Sequence, residues 1–202
     1  MIKAVIFDRD ATLNKTTQIL RAGQQPGDPT DGYVLSPQEL DLFPAVKPAL
    51  AMLRQRGIKP FVFTQQNCIG KGLVSVEQVN AIHDHMNDQL GAGARIEKFY
   101  LAWKMKDAPD NARAKPSPAM IHEIMAEYNL KPEEIIVVGD SMRDYKSAKA
   151  AGVAYVWVRD DLKRVPEEEM RATGCPVYDD VKAFADDLFA APQMQQNRRP
   201  QP

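Results

Sequence analysis

The sequence predicts a three-layer α/β/α fold around a central parallel sheet. Short apolar runs rich in Val, Ile, Phe and Tyr recur over 4–7, 58–63, 96–101, 135–138 and 153–158, and stretches with helical spacing separate them. Strands that alternate with helices pair in parallel, because each helix carries the chain back to the start of the sheet, and both faces become covered. Composition agrees: 44% of the 202 residues are hydrophobic and 26% are charged, the usage of a chain with a packed core.

The helices follow from their ends and their stripes. The first begins at Pro44, buries Val46, Leu50 and Leu53 and stops at Gly57, with proline at the start and glycine past the end. Ser75 and Gln78 form a capping-box pair that opens a second, which aligns Val79, Ile82, Met86 and Leu90. A third starts at Ser117-Pro118 and buries Ile121, Ile124, Met125 and Tyr128. A fourth follows Asp140 and stops at Gly152, and a last one, with Val181, Phe184 and Leu188, follows Asp179. One domain is expected over 1–190, interrupted by a long loop over 14–37 that carries Gly23, Pro26, Gly27, Pro29 and Gly32 and has no period. Loops of that length serve function or are disordered, and this one directly follows the first strand, where an active-site loop or lid belongs. The tail over 191–202 is Gln, Arg and Pro with almost nothing apolar and reads as disordered.

Lys and Arg number 26 against 27 for Asp and Glu, so the net charge is −1 and no basic excess points to a nucleic acid or an anionic membrane. No stretch approaches the roughly 20 apolar residues of a membrane span. The N-terminal apolar run is broken by Asp8 too early for a signal-peptide core. Two cysteines, Cys68 and Cys175, cannot build a disulfide framework or a four-thiolate zinc site. The expectation is a cytoplasmic protein with free thiols.

Polar residues at the strand ends carry the functional signal. Asp8-Arg9-Asp10-Ala11-Thr12 follows the first strand, Thr64 the second and Gly139-Asp140 the fourth, with Asp144 one helical turn later. In an open parallel sheet these positions converge beyond the carboxyl ends of the strands, where ligands bind, and Lys115 can enter the same spot. So many carboxylates need a cation to offset them, and hard oxygen donors suit Mg²⁺. A carboxylate beside Mg²⁺ can attack phosphorus, since the metal and a lysine remove the repulsion between anionic nucleophile and anionic substrate. A second acid two residues on can serve the proton transfers.

Asp8-x-Asp10-x-Thr12, Thr64, Lys115 and Gly139-Asp140-x-x-x-Asp144 together resemble the four motifs of the haloacid dehalogenase (HAD) superfamily. More narrowly, residues 8–14, Gly32-Tyr33-Val34, Phe43-Pro44, Thr64-Gln65-Gln66-Asn67 and Lys115-Pro116-Ser117-Pro118 resemble its subfamily III group of heptose bisphosphate phosphatases and histidinol-phosphatases, a likeness running to about Leu162. The resemblance implies a Rossmann-like fold without a large cap domain. It implies Mg²⁺-dependent hydrolysis of a small phosphomonoester, a sugar phosphate or bisphosphate, through an aspartyl phosphate. Asp8 would be nucleophile and metal ligand, Asp10 the acid/base and a ligand through its backbone carbonyl, and Asp140 the third ligand. Thr64 and Lys115 would hold the phosphoryl group, with Gln65 and Arg113 as further substrate contacts. Asp144, positioning either Lys115 or a metal-bound water, and Thr12 would support them. Asp10 favours phosphoryl transfer over dehalogenation, because hydrolysis of a carbon–halogen bond does not need that acid.

The departures are informative. Ala11 stands where the group usually has glycine. Residues 102–114 contain no Cys and no His, so the group's zinc loop is missing and no zinc is expected. Ala114 precedes the lysine where many members have arginine, and Arg113 lies one residue earlier. His83 and His85, two apart on a helix, point to different sides and read as solvated. Cys68 reads as a packing residue. Trp103, Lys104, Lys106 and Arg113 form either a substrate wall for a second negative group or a solvated basic loop. Two other functions remain open: a phosphatase of nucleic-acid 3′ ends, which the neutral charge opposes, and a catalytically silent scaffold, which the complete motif set opposes.

Overall fold

The computed structural model describes residues 1–16, 32–104, 112–159 and 165–190; most of the 14–37 loop, Lys106 and the 191–202 tail lie outside the described residues. Six parallel strands, β1 (Ala4–Phe7), β2 (Lys59–Gln65), β3 (Lys98–Ala102), β4 (Ile135–Gly139), β5 (Ala154–Val158) and β6 (Val177–Tyr178), form one sheet in the order β3-β2-β1-β4-β5-β6. The helices among the described residues are α1 (Val46–Gln55), α2 (Asn67–Gly70), α3 (Val76–Leu90), α4 (Ala119–Tyr128), α5 (Met142–Ala151), α6 (Glu167–Ala172) and α7 (Val181–Ala190).

The pleat sorts the core into two layers. On β1, Val5 and Phe7 pack with the buried stripes of α1, α3 and α7, while Ala4 and Ile6 pack with those of α4, α5 and α6. All four are fully buried, because a parallel strand covered on both faces has no polar side to show. Phe7 pairs with Val62 of β2 on one side and Val138 of β4 on the other. The strand order reverses there, so Asp8 emerges at the crevice where open α/β sheets bind ligands. A third, small cluster of Cys68, Val74 and Val79, with Tyr33 and Leu35 against it, ties the segment before α1 to α2 and α3.

Some boundaries differ from the sequence pattern for local reasons. Ile58 and Ile96 precede β2 and β3 and sit in the core beside them, since an apolar residue is buried as readily at a strand entry as within it. Residues 44–45 form a turn and α1 starts at Val46, with Pro48 in its first turn, where the absent N–H is not missed. Met125, Tyr128 and Leu188 only border the core. The short β6, α2 and α6 escaped notice because so few residues cannot establish a period.

The capping box of α3 forms as read: Gln78 N–H donates to Ser75 Oγ at 3.2 Å and Ser75 N–H donates to Gln78 Oε1 at 2.8 Å. Ser75→Ala should lower stability by about 1 kcal/mol. Urea unfolding checks it, the midpoint falling with the slope unchanged.

Candidate active site

The site begins with the turn after β1. Asp8 N–H donates to Val138 O at 3.0 Å, Leu13 N–H and Asn14 N–H both donate to Arg9 O at 2.8 and 3.2 Å, and Ala11 N–H donates to Asn14 O at 2.8 Å. This tight turn puts Ala11 at φ +62°, in the left-handed region. A side chain there costs about 1 kcal/mol, which explains the group's glycine; here the turn's hydrogen bonds and the buried methyl hold alanine in place.

Carboxylate oxygens of Asp8, Asp140 and Asp144 lie within 4.8 Å of one another. Lys115 joins them, its Nζ 2.8 Å from Asp8 Oδ1, 2.6 Å from Asp144 Oδ1 and 3.7 Å from the centre of the Phe63 ring. Asp140, Asp144 and Lys115 are all buried. Thr12 Oγ donates to Asp140 Oδ1 at 3.3 Å. Asp144 is the third residue of α5, and its Oδ2 accepts from Ser141 N–H at 3.1 Å and Ser141 Oγ at 2.6 Å. Burial and then the negative charge of Asp144 push the Asp8 carboxyl up to about 6, against the pull of Lys115. Burial works against the Lys115 ammonium, yet Asp144 and Asp8 together hold its pKa above the ordinary value. Two buried carboxylates and the half-buried Asp8, with Lys115 paired to Asp8 and Asp144, gather negative charge that an oxygen-seeking divalent cation fits.

The Asp10 side chain stands outside the acid cluster, as a ligand through its backbone carbonyl requires. Its carboxylate turns away from the cluster and accepts from Arg9 Nε and Nη2 at 3.1 and 2.9 Å, from Asn14 Nδ2 at 3.1 Å and from Gln66 Nε2 at 2.6 Å. Burial raises its proton affinity, but Arg9 and the hydrogen bonds of Gln66 and Asn14 outweigh that and hold the carboxyl below the usual range. Asp144, not the Asp10 side chain, completes the acid cluster, so only the Asp10 backbone carbonyl is left to act as the implied ligand.

Gln66, rather than Gln65, faces this centre. Its Nε2 donates to Thr64 Oγ at 2.8 Å as well as to Asp10, whereas Gln65 Nε2 turns to Asn67 Oδ1 at 3.0 Å. Residues two apart at the end of an extended strand share a face, and that period counted from Thr64 points to Gln66. Arg113 forms a two-pronged ion pair with Glu123 of α4, at 2.7 and 2.8 Å. Lys104 N–H donates to Asn67 Oδ1, and Cys68 is buried as a packing residue. His83 corrects another expectation: it is 3% exposed, because it lies one turn beyond Val79 on the inward stripe of α3. A cavity of about 300 Å³ opens beside Ala11 and Thr12, with Phe43, Pro44, Arg159 and Asp179 in its wall.

A parallel sheet of this order, with buried acids and a lysine at its switch point, defines a hydrolase of the haloacid dehalogenase type. The family model described as haloacid dehalogenase-like hydrolase matches residues 17–152, and the chain belongs to that family. Among its relatives, the D-glycero-beta-D-manno-heptose-1,7-bisphosphate 7-phosphatase of Bordetella bronchiseptica is 30% identical over 93% of this chain and 98% of that protein. The enzyme of the same name from Rhodopseudomonas palustris is 29% identical over 74% of this chain and 79% of that one. Among solved structures, the D,D-heptose 1,7-bisphosphate phosphatase from B. bronchiseptica, complexed with magnesium and phosphate, superposes with a TM-score of 0.75 at 28% identity, over 94% of this chain and 99% of that one. The counterpart from Burkholderia thailandensis gives 0.62 at 25% identity over 94% and 99%.

A Cβ on Gly139 would lie 2.9 Å from both Cβ and Oδ2 of Asp144. Gly139→Ala should therefore push Asp144 off Lys115, costing about 2 kcal/mol of stability and most of the activity, as urea unfolding and phosphate release would record. His83 supplies a pH prediction. Burial first, then the charge of Arg9, lower its pKa from 6.5 to about 3, against a smaller opposing pull from Asp10. As pH falls below 6.5 the unfolded chain takes up a proton that the folded chain refuses, so stability present above 6.5 is lost progressively towards about 3. The loss is at most about 1.4 kcal/mol per pH unit. The difference between the urea midpoints of wild type and His83→Leu, followed from about pH 8 to about pH 4, should trace it.

Proposed function

We propose that this chain is a Mg²⁺-dependent phosphatase acting on a small sugar phosphate or bisphosphate, of the heptose bisphosphate class its relatives are named for. The observation that carries the reading is the cluster of Asp8, Asp140 and Asp144, with Lys115 paired to the first and last of them, at the switch point of a sheet shared with those relatives. Asp8, Asp140 and the Asp10 backbone carbonyl would hold Mg²⁺, an all-oxygen set that suits it better than zinc. When bound, the ion neutralises the charge of nucleophile and phosphoryl group and polarises the latter.

The chain's own residues then divide the work. A carboxylate oxygen of Asp8 bonds to phosphorus as the ester P–O bond breaks, and Asp10 gives a proton to the leaving oxygen. In the second half, water attacks phosphorus, Asp10 takes its proton, and the Asp8 carboxylate leaves inorganic phosphate behind. Asp10 is held here in the charged form that accepts a proton, and the negative charge of an arriving phosphoryl group raises its affinity for one. Thr64 Oγ accepts from Gln66, so its own proton is left to donate to a phosphoryl oxygen. Lys115, anchored by Asp144, brings its positive charge to the same group.

No helix among the described residues is long and apolar enough to cross a membrane. The free thiols of Cys68 and Cys175 and a phosphorylated metabolite as substrate fit a cytoplasmic enzyme.

Phosphate release from sugar phosphates, heptose 1,7-bisphosphate, histidinol phosphate and 3′-phosphorylated oligonucleotides, with Mg²⁺ and with EDTA, tests the reading. Expected is metal-dependent release from a sugar ester far above the rest. Preference for the oligonucleotides would move the function to nucleic-acid ends, and silence throughout would make the chain a scaffold. Asp8→Asn should abolish turnover with the fold intact, and Asp10→Asn should lower kcat by about 100-fold or more.

A further inference from the structure

Arg9 lies between the two acids of the first motif and has no part in the steps above. Its side chain is fully buried. Burying a guanidinium is costly unless charge and hydrogen bonds offset it. Nε and Nη2 close on the Asp10 carboxylate as a fork, Nη2 reaching Oδ1 at 2.9 Å and Oδ2 at 3.0 Å. The remaining nitrogen, Nη1, meets His83 Nε2 at 3.4 Å. Guanidinium only donates, so His83 accepts at Nε2 and carries its own proton on Nδ1. The imidazole lies flat on Phe99 of β3, with ring centres 4.2 Å apart and planes 5° from parallel.

We propose that Arg9, seated by His83 against Phe99, is the positioning residue for the proton transfers of Asp10. The inference rests on the role given to Asp10 above. A flat fork clamped at both ends fixes the plane of the carboxylate, which a single ammonium cannot do. Gln66 extends the arrangement to Thr64 through the same amide nitrogen that holds Asp10. The aim of the proton carrier and the contact to the phosphoryl group are therefore set by one connected row of side chains.

The test compares two esters: heptose 1,7-bisphosphate, whose sugar oxygen needs a proton to leave, and p-nitrophenyl phosphate, whose phenolate leaves without one. Asp10→Asn calibrates the scale and should change the ratio of the two kcat/KM values, which report the first half of the reaction alone, by about 100-fold. Arg9→Lys should change it by about 30-fold in the same direction, and His83→Leu by about tenfold. His83→Gln, which keeps an acceptor for Nη1, should restore the ratio to within about threefold of wild type. Equal losses of kcat/KM on both esters in the Arg9 and His83 variants would overturn the inference while leaving the phosphatase reading in place. Wild-type silence on both esters would overturn that reading and this inference with it. Should Arg9→Lys fail to fold, as judged by circular dichroism, the two His83 variants decide. Loss of fold in His83→Leu as well, with Asp10→Asn folded, would mark the pair as purely structural.

Discussion

Like charges repel most where water cannot screen them, and the carboxyl end of this sheet gathers Asp8, Asp140 and Asp144 into one buried place. The surroundings answer that repulsion from several directions. Lys115 sits between two of the acids and rests on the Phe63 ring, Ser141 ties down one oxygen of Asp144, and Thr12 bonds to Asp140. Gly139 omits a side chain so that α5 can bring Asp144 this close. The excess of negative charge is the feature a divalent ion would remove, and it adds to burial in raising the Asp8 carboxyl.

Most of the framework was legible because it rests on period and punctuation. Five apolar runs and the stripes between them yield the sheet order's raw material, and acids directly after strands must point into the crevice of a parallel sheet. Directions of individual side chains were not legible in the same way. Gln65 and Gln66 are chemically identical, and only the strand's alternation distinguishes the one beside Asp10 from the one on Asn67. Arg113 reads as a free cation until the fold brings Glu123 to it, and His83 reads as solvated until Phe99 covers it. Ser141 forms a capping box with Asp144 at the start of α5, and its second service, steadying the acid that anchors Lys115, is a tertiary fact.

The two acids of the first motif are treated in opposite ways. Asp8 is desolvated beside another acid and its proton affinity rises, while Asp10, two residues on, is wrapped by Arg9, Asn14 and Gln66 and its affinity falls. The left-handed turn at Ala11 follows directly on Asp10 and carries the chain back, so that Asn14 reaches Asp10. Neighbouring carboxylates thereby acquire different chemistry, Asp8 from Asp144 of α5 and Asp10 from its own turn and Gln66.

The pairing of β1 also bears on how the chain comes into being. Ala4 pairs with Lys59 and with Ile135, so one edge of β1 waits for a partner translated long after it. During that interval an apolar edge stands open, the kind of surface that chaperones shield and that misassembly exploits. Asp8 and Asp10 are then already synthesised but have neither Lys115 nor Asp144 to answer them. The half-made protein is spared the crowding of its acids, and the strained centre is assembled only when the later strand docks and the rest of the molecule can hold it.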